Sequence, residues 1–464
     1  MRKKALLAAL MAMILLLSGC ALVVKDEAVD NATEILRMGD QVITKETVKK
    51  EVQDNLDQTA SLYSMYYGQA YDVDDPDNIA HAQEEVIDSL KEDMALTAKA
   101  KELGLDQLTD EELEAVKAEA QENYDSLLES AKSYVEGADE MDEKALAEAA
   151  EKMATEAGYT LDSYIESETK TKIEEKLREY AVKDVAVTDE EIQADYDSKV
   201  ESDKNKYAEN AGSWATAANN GTSTLYYTPA GVRRVKQILT KFKDEDQTAI
   251  DDAKKQVTEA NTAVTSAQAK IDAANETLSA EGIEEEAAAE AKAQAEADLE
   301  AATKELEEAN AALDAANKAV EEATDKAFAN IDEETDAILA SLDEEGADWQ
   351  AIMDEKNQDP GMKDNEKGYA IASGMTGFDS AFVDAALALQ NPGDHSGKVK
   401  GTSYGYYIIR YDSDETEGPV ALDAVKETIS SSLLSTKQNE AYNAAVEQWV
   451  EAAGIKVDMN ALKD

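Results

Sequence analysis

The sequence predicts an α+β protein of several domains, and three observations carry that expectation. Long stretches before residue 209 and after residue 422 repeat apolar residues every three or four positions, the period of an amphipathic helix. A short apolar run, Ile35 to Met38, stops at Gly39-Asp40 and resumes at Gln41 to Ile43, which reads as strand, turn, strand. Between residues 250 and 323, apolar residues recur at every seventh position, as in paired helices. At 464 residues the chain is too long for one compact core, so two to four domains are expected.

Residues 1–19 read as a leader. Arg2, Lys3 and Lys4 form a positive head, Ala5 to Leu16 an apolar body, and Leu17-Ser18-Gly19 supplies small residues before Cys20. This is a bacterial lipobox, and it predicts lipidation of Cys20. Cleavage removes three positive charges and takes the net charge from −56 to −59. Cys20 is the only cysteine, so once it is acylated no thiol remains for disulfides, metals or nucleophilic chemistry. No later apolar run approaches the ~20 residues that span a bilayer. The expected location is therefore the extracytoplasmic face of the cell membrane, reached through the lipid on Cys20.

The rest of the composition narrows the partners. Lys and Arg total 45 against 101 Asp and Glu, which disfavours nucleic-acid phosphate. The 43% hydrophobic content is enough for globular cores, although much of it is Ala. Such acidity reflects solubility and self-repulsion rather than an active site.

Residues 20–209 are expected to form a helical N-terminal domain. Thr44 is positioned to cap a helix with a Val48, Val52, Leu56 stripe, and Val86, Leu90 and Met94 mark a second helix ending near Gly104. Thr109 with Glu112 and Thr188 with Glu191 have capping-box spacing. The tyrosines at 63, 66, 67 and 71 are read as helix packing and loop anchoring, in preference to a peptide-binding surface. Residues 210–228, rich in Gly, Asn, Ser, Thr and Ala, read as a flexible linker.

Residues 243–326 carry the seven-residue period. Ile250, Val257, Val264, Ile271 and Leu278 are echoed by Ala253, Ala260, Ala267 and Ala274 three positions after the first four. Leu299, Leu306, Leu313 and Val320 repeat the scheme with Ala302, Ala309, Ala316 and Ala323. Ser279 to Gly282 reverses the chain, which predicts an antiparallel coiled-coil hairpin whose first arm runs about 42 Å. It serves either as an arm that touches a client or as a spacer. Residues 417–464 form a C-terminal helical segment with Val425, Ile429, Leu433 and, after a break, Tyr442, Ala445 and Trp449 on one face.

The most informative stretch runs from Asp359 to Arg410. It holds Gly374-Met375-Thr376-Gly377-Phe378 leading into a helix with Phe382, then Asn391-Pro392-Gly393, Ser396-Gly397-Lys398-Val399-Lys400, and Tyr404-Gly405-Tyr406-Tyr407-Ile408-Ile409-Arg410. Upstream, Val232 to Phe242 reads as a strand. That order resembles the parvulin family of peptidyl-prolyl isomerases, and the order of all parts resembles the PrsA and SurA group of extracytoplasmic foldases. The resemblance implies a small antiparallel sheet with helices, split into a first strand at 229–242 and a remainder at 327–416, with the hairpin inserted between. It also implies that the C-terminal tail packs with the N-terminal helices.

The resemblance assigns a site. Phe382 falls on the family's pocket Phe, Phe378 lies four residues earlier on the same helix face, and Met375 is a further candidate for gripping a proline ring. Asp359 falls on the segment whose acidic residue lies beside the substrate carbonyl. The family's two central histidines are replaced by Gln237 and Tyr407, both neutral groups that still donate and accept hydrogen bonds. The implied activity is cis–trans isomerisation of X-Pro bonds in unfolded or partly folded secreted polypeptides, with no cofactor. A catalytically weak holding chaperone and an adaptor lipoprotein acting through the coiled-coil arm are the alternatives; a solute-binding lipoprotein is more distant, because regularly alternating strands and helices are missing. His81 and His395 have no ligand-spaced partners, so no metal site is expected. Phosphate loops, nucleophile elbows and Cys-x-x-Cys pairs are absent from the sequence.

Overall fold

The computed structural model describes residues 27–279, 285–363 and 365–462. The leader and Cys20 lie outside these residues, as does most of the predicted reversal between the two heptad runs. Among the described residues, no helix is long and apolar enough to cross a membrane. The chain divides into two compact units: one of residues up to Val187 together with Ser431–Asp464, the other Thr188–Ser430. The boundary therefore falls before residue 210, and the helix that follows Thr188 belongs with the second unit.

In the first unit, α1 (Glu27–Asn31) precedes β1 (Glu34–Met38), which pairs antiparallel with β2 (Gln41–Thr44) and with the late strand β9 (Lys456–Val457). Thr44 caps α2 (Lys45–Tyr67) by accepting from the Thr47 amide. Asp75 caps α3 (Pro76–Leu103), and Gly68 and Gly104, in the left-handed region, end the two helices. Val48, Val52 and Leu56 pack on Val86, Met94, Ile35 and Leu36 as one core. Lys45 is buried beside them, its ammonium 3.2 Å from Asp30. Three further helices follow, α4 (Asp110–Ala131), α5 (Glu143–Glu156) and α6 (Leu161–Val182), and Thr109 and Glu112 close a capping box on α4. Leu96, Ala100 and Leu177 form a second core with Tyr442, Val446 and Trp449 of the C-terminal helix.

In the second unit, α7 (Asp189–Tyr207) leads to α8 (Ala211–Asn220), which occupies the stretch expected to be a flexible linker. Local signals explain it: Asn210 accepts from the Ser213 amide at the N-terminus, and Gly221 at φ 62° ends the helix. Burial of Trp214 fixes it against Tyr207, Val232, Ala370 and Ala372. The sheet is four-stranded and antiparallel, ordered β5 (Tyr369–Ile371), β4 (Arg233–Lys241), β7 (Gly405–Asp414), β6 (Val399–Lys400). A short pair, β3 (Tyr227–Thr228) with β8 (Gly418–Pro419), lies apart from it in the pairing.

Between β4 and the rest of the sheet the chain runs out and back as α9 (Asp244–Ser279) and α10 (Glu285–Leu342). Lys270 pairs with Glu305, and Asp246 accepts from Asn330, so the helices are antiparallel. Ala253, Ala260, Ala267 and Ala274 are buried, as are Ala295, Ala302, Ala309 and Ala316, whereas the aliphatic heptad positions beyond the buried Ile250 are only half-buried. Alanine forms the centre of the seam because its small side chain allows close backbone approach, and Val, Ile and Leu flank it. Helix α10 continues without interruption through Ala327 to Leu342 and lies on the sheet, followed by α11 (Trp349–Lys356) and, on the other face, α12 (Ser380–Ala388). The C-terminal helix α13 (Leu422–Ala453) is continuous over the stretch expected to be helical.

Candidate functional site

Period-two alternation on β4 and β7 sorts their side chains onto two faces. Gln237 stands opposite Ile409, and Leu239 opposite Tyr407. Val235, Leu239, Tyr407 and Ile409 share a core with Phe382, Val383 and Ala386 of α12. Ile238 and Ile408 face the other way and pack on Ile338, Leu342, Trp349 and Met353.

The edge of β4 positions the acidic group. Strand β5 covers Arg233 to Val235, and beyond it the irregular segment at Asn357 and Gln358 takes over. There the Leu239 amide donates to Asn357 Oδ1 at 2.8 Å, and the Gln358 amide donates to the Leu239 carbonyl at 3.0 Å. Asp359 follows directly and is thereby held next to Gln237. Its Oδ2 accepts from Gln237 Nε2 at 2.6 Å and from the Tyr369 hydroxyl at 2.9 Å, while Oδ1 accepts from the Gly361 amide at 2.9 Å. Gly361 is required for this approach, because a Cβ there would lie 2.1 Å from the Tyr369 oxygen.

The Gln237 amide is oriented by this contact, since a carboxylate only accepts. Its Oε1 is buried and has no hydrogen-bond partner among the described residues. Burial, and then the Asp359 charge, hold the Tyr369 hydroxyl well above the ordinary tyrosine range. Tyr407 is pushed up in the same way, first by burial and then by the Asp379 charge. Both hydroxyls therefore stay protonated donors across physiological pH.

The aromatic part lies alongside. Phe378 stacks on Phe382 at 5.9 Å, Tyr407 meets Phe382 edge-on at 5.3 Å, and Tyr369 meets Phe378 edge-on at 4.9 Å. Phe382 is only 2% exposed, so its ring is the floor of the cluster, and the half-buried Phe378, Tyr369 and Met375 form its outer surface. Met375 sits in the loop before α12, held from behind by α8: a Cβ on Gly212 would lie 2.3 Å from the Gly374 carbonyl carbon. Thr216 of α8 also bonds the Thr376 backbone, accepting from its amide at 3.2 Å and donating to its carbonyl at 3.1 Å.

Helix α12 is fixed at both ends. Asp379 caps its start and also accepts from the Thr402 amide and hydroxyl, and the Arg233 guanidinium donates to the carbonyls of Ala386, Leu387 and Leu389 at its end. The structure thus brings Gln237, Asp359, Tyr407, Phe378, Phe382 and Met375 onto one side of the sheet, and it adds Tyr369 and Asp379, which sequence reading missed. Asp379 had a visible signal, an Asp directly before an apolar helix; Tyr369, in a three-residue strand, had none. A cleft of about 420 Å³ is lined by Asp359 together with Met353, Asn357, Pro360 and Met362, and by none of the aromatic residues of the cluster.

The architecture is a small antiparallel sheet with helices on both faces, carrying a carboxylate and an aromatic cluster on one of them. No family model matches the chain. Over 103 residues it is 39% identical to the foldase protein PrsA of Clostridium botulinum (strain Hall), a match covering 22% of this chain and 30% of that relative. The foldase protein PrsA of Clostridium kluyveri is 35% identical over 100 residues, covering 21% and 29%. The chain is thus a relative of PrsA-type foldases over less than a third of their length. Crystal structures of the foldase protein PrsA from Streptococcus pneumoniae and of SurA-like chaperones from Campylobacter jejuni align with TM-scores of 0.21 and 0.24, both at 14% identity. These alignments cover 93% and 92% of this chain and 97% and 99% of the solved chains, but at such scores the fold rests on this chain's own geometry.

Proposed function

We propose that this protein is a foldase tethered by lipid on Cys20 to the outer face of the cell membrane, and that its second unit rotates X-Pro bonds in secreted polypeptides. The observation that carries the reading is the Gln237–Asp359–Tyr369 contact beside the Phe378 and Phe382 rings. Rotation about an X-Pro bond meets a barrier of ~18–20 kcal/mol, because the planar amide is held by resonance that leaves its carbonyl oxygen partly negative. A twisted amide loses that polarisation. A carboxylate beside the carbonyl disfavours the planar form, and an apolar wall of Phe378 and Met375 grips the ring while excluding water that would stabilise it.

Neither step needs an ionising base. Gln237 and Tyr369 fix the Asp359 carboxylate by donation alone, so in this reading the site works without the two family histidines. The catalytic unit is then the sheet with α10 to α12, and the α9–α10 arm is an insertion that the site does not use.

A holding chaperone without turnover is the second reading, and one observation favours it: the Asp359 carboxylate already accepts three hydrogen bonds, and Phe382 is covered. The test is the cis-to-trans rate of a short X-Pro peptide with the mature chain. Acceleration by the wild type that falls roughly 100-fold in Asp359→Asn, and falls in Phe378→Ala, supports catalysis. Suppressed client aggregation with no acceleration supports the holding reading. Loss of cellular function on shortening the arm, with Phe378 dispensable, would favour an adaptor instead.

A further inference from the structure

The tyrosine-rich end of α2 does not pack as its sequence suggested. Tyr63 and Tyr71 do turn inward, with ring centroids 5.6 Å apart, and Tyr71 and Val73 rest on the first unit's core. But Leu62 is 45% exposed, Met65 68%, Tyr66 74% and Tyr67 68%. Leu62, Met65 and Tyr66 share one helix face and form an exposed apolar patch, and Tyr67 lies on the neighbouring face with its ring 4.8 Å from that of Tyr63.

The patch is presented rigidly. Gly68 ends α2, the Asp74 amide and the Asn78 side chain donate to Asp72, and Asp75 caps α3. Its charge surroundings are one-sided: from Glu51 to Leu90 the chain carries ten Asp and Glu and no Lys or Arg. That setting decides the occupant. A second copy of this chain, at net −56, brings the same carboxylates, and an anionic lipid headgroup brings more negative charge; both are repelled.

We infer that the end of α2 is a capture surface for extended polypeptide segments in which Lys or Arg alternates with aromatic or aliphatic residues. Flexible Met65 adapts to varied apolar side chains, Tyr66 and Tyr67 offer ring faces to both apolar groups and cations, and the surrounding carboxylates attract the basic residues. The surface rests on the foldase reading only in that its partner is a polypeptide client. It does not depend on turnover at the sheet.

The experiment uses the full mature chain and a dye-labelled, proline-free peptide of alternating Phe, Leu and Lys, read by fluorescence anisotropy. A matched peptide with Glu for Lys, and vesicles of phosphatidylglycerol, serve as competing occupants. We expect the Lys peptide to bind, the joint Met65→Ser, Tyr66→Ser, Tyr67→Ser variant to bind it about tenfold or more weakly, and Asp57→Asn with Asp74→Asn to weaken it two- to threefold at low salt only. All five positions are exposed, and circular dichroism checks that the variants fold. Unchanged affinity in the triple variant, equal binding of the Glu peptide, or preferential binding of the vesicles overturns the inference. Peptide capture in a protein that fails to accelerate X-Pro rotation supports this surface while sinking the catalytic reading.

Discussion

The two faces of the β4–β7 ribbon carry nearly the same backbone and opposite assignments. On one face Ile238 and Ile408, fully buried, grip α10 and α11 and leave little but packing. The other sets Gln237 and Tyr407 among the apolar residues and places a carboxylate and three aromatic rings over them. Lys398 adds an electrostatic fastening to the structural face, bridging Asp332 at 2.7 Å and Asp336 at 2.6 Å while Tyr406 donates to Asp332. Both faces bury a polar side chain, Gln237 on one and Thr240 on the other, and it is the Asp359 carboxylate held on Gln237 that sets the first face apart.

That contrast breaks most visibly at the largest side chains. Phe382→Ala should lower stability by about 3–5 kcal/mol in urea denaturation, since its ring is buried, and Ile238→Ala by about 2–5 kcal/mol. The two differ in activity per folded molecule: Ile238→Ala keeps it, Phe382→Ala loses it. Next in size is the effect of alkaline pH. Tyr369 and Tyr407 are both raised above the ordinary value of 10.0, so the folded chain holds their protons after the unfolded chain has released them. Their contribution to stability is complete below about pH 10 and falls as pH rises beyond it, which thermal unfolding across that range measures. Tyr407→Phe should remove part of the fall.

Smaller effects sharpen the same comparison. Gly212→Ala forces α8 off the Gly374–Thr376 backbone and should cost about 1–3 kcal/mol, with a raised KM for peptide as Met375 shifts. Tyr407→Phe at neutral pH keeps its ring on Phe382 and removes only the hydroxyl, for about 1 kcal/mol or less. Shortening the arm beyond Ile250 should leave the rate unchanged, because its root, Phe242, Ile250, Phe328 and Tyr406, is retained.

Much of the fold was legible because its signals are local. Caps at Thr44 and Thr109 and the seven-residue period of α9 and α10 are written within a few residues of where they act. Residues 210–228 were misread because composition outweighed position: Asn210 and Gly221 bracket a helix, but what fixes it is Trp214 meeting Val232 and Ala370, contacts distant in sequence. Tyr66 and Tyr67 failed the opposite way, since aromatic residues on a helix suggest packing, yet Tyr66 is 74% exposed and Tyr67, though its ring meets Tyr63, is 68% exposed. At the site, Gln237 and Asp359 were read only through a family resemblance. Tyr369 gave no local sign, because what brings it to Asp359 is the pairing of β5 with β4 and the room left by Gly361.

The central claim is that X-Pro rotation here runs on neutral donors and a fixed carboxylate. The most direct measurement is the rate of X-Pro peptide isomerisation by the mature chain between about pH 6 and 9, the span in which a histidine would titrate. The account predicts acceleration that is flat across that span, since Gln237 does not ionise and Tyr369 and Tyr407 are raised. No acceleration at any pH from a folded protein, or a rate that changes through an inflection near 6.5, would contradict it.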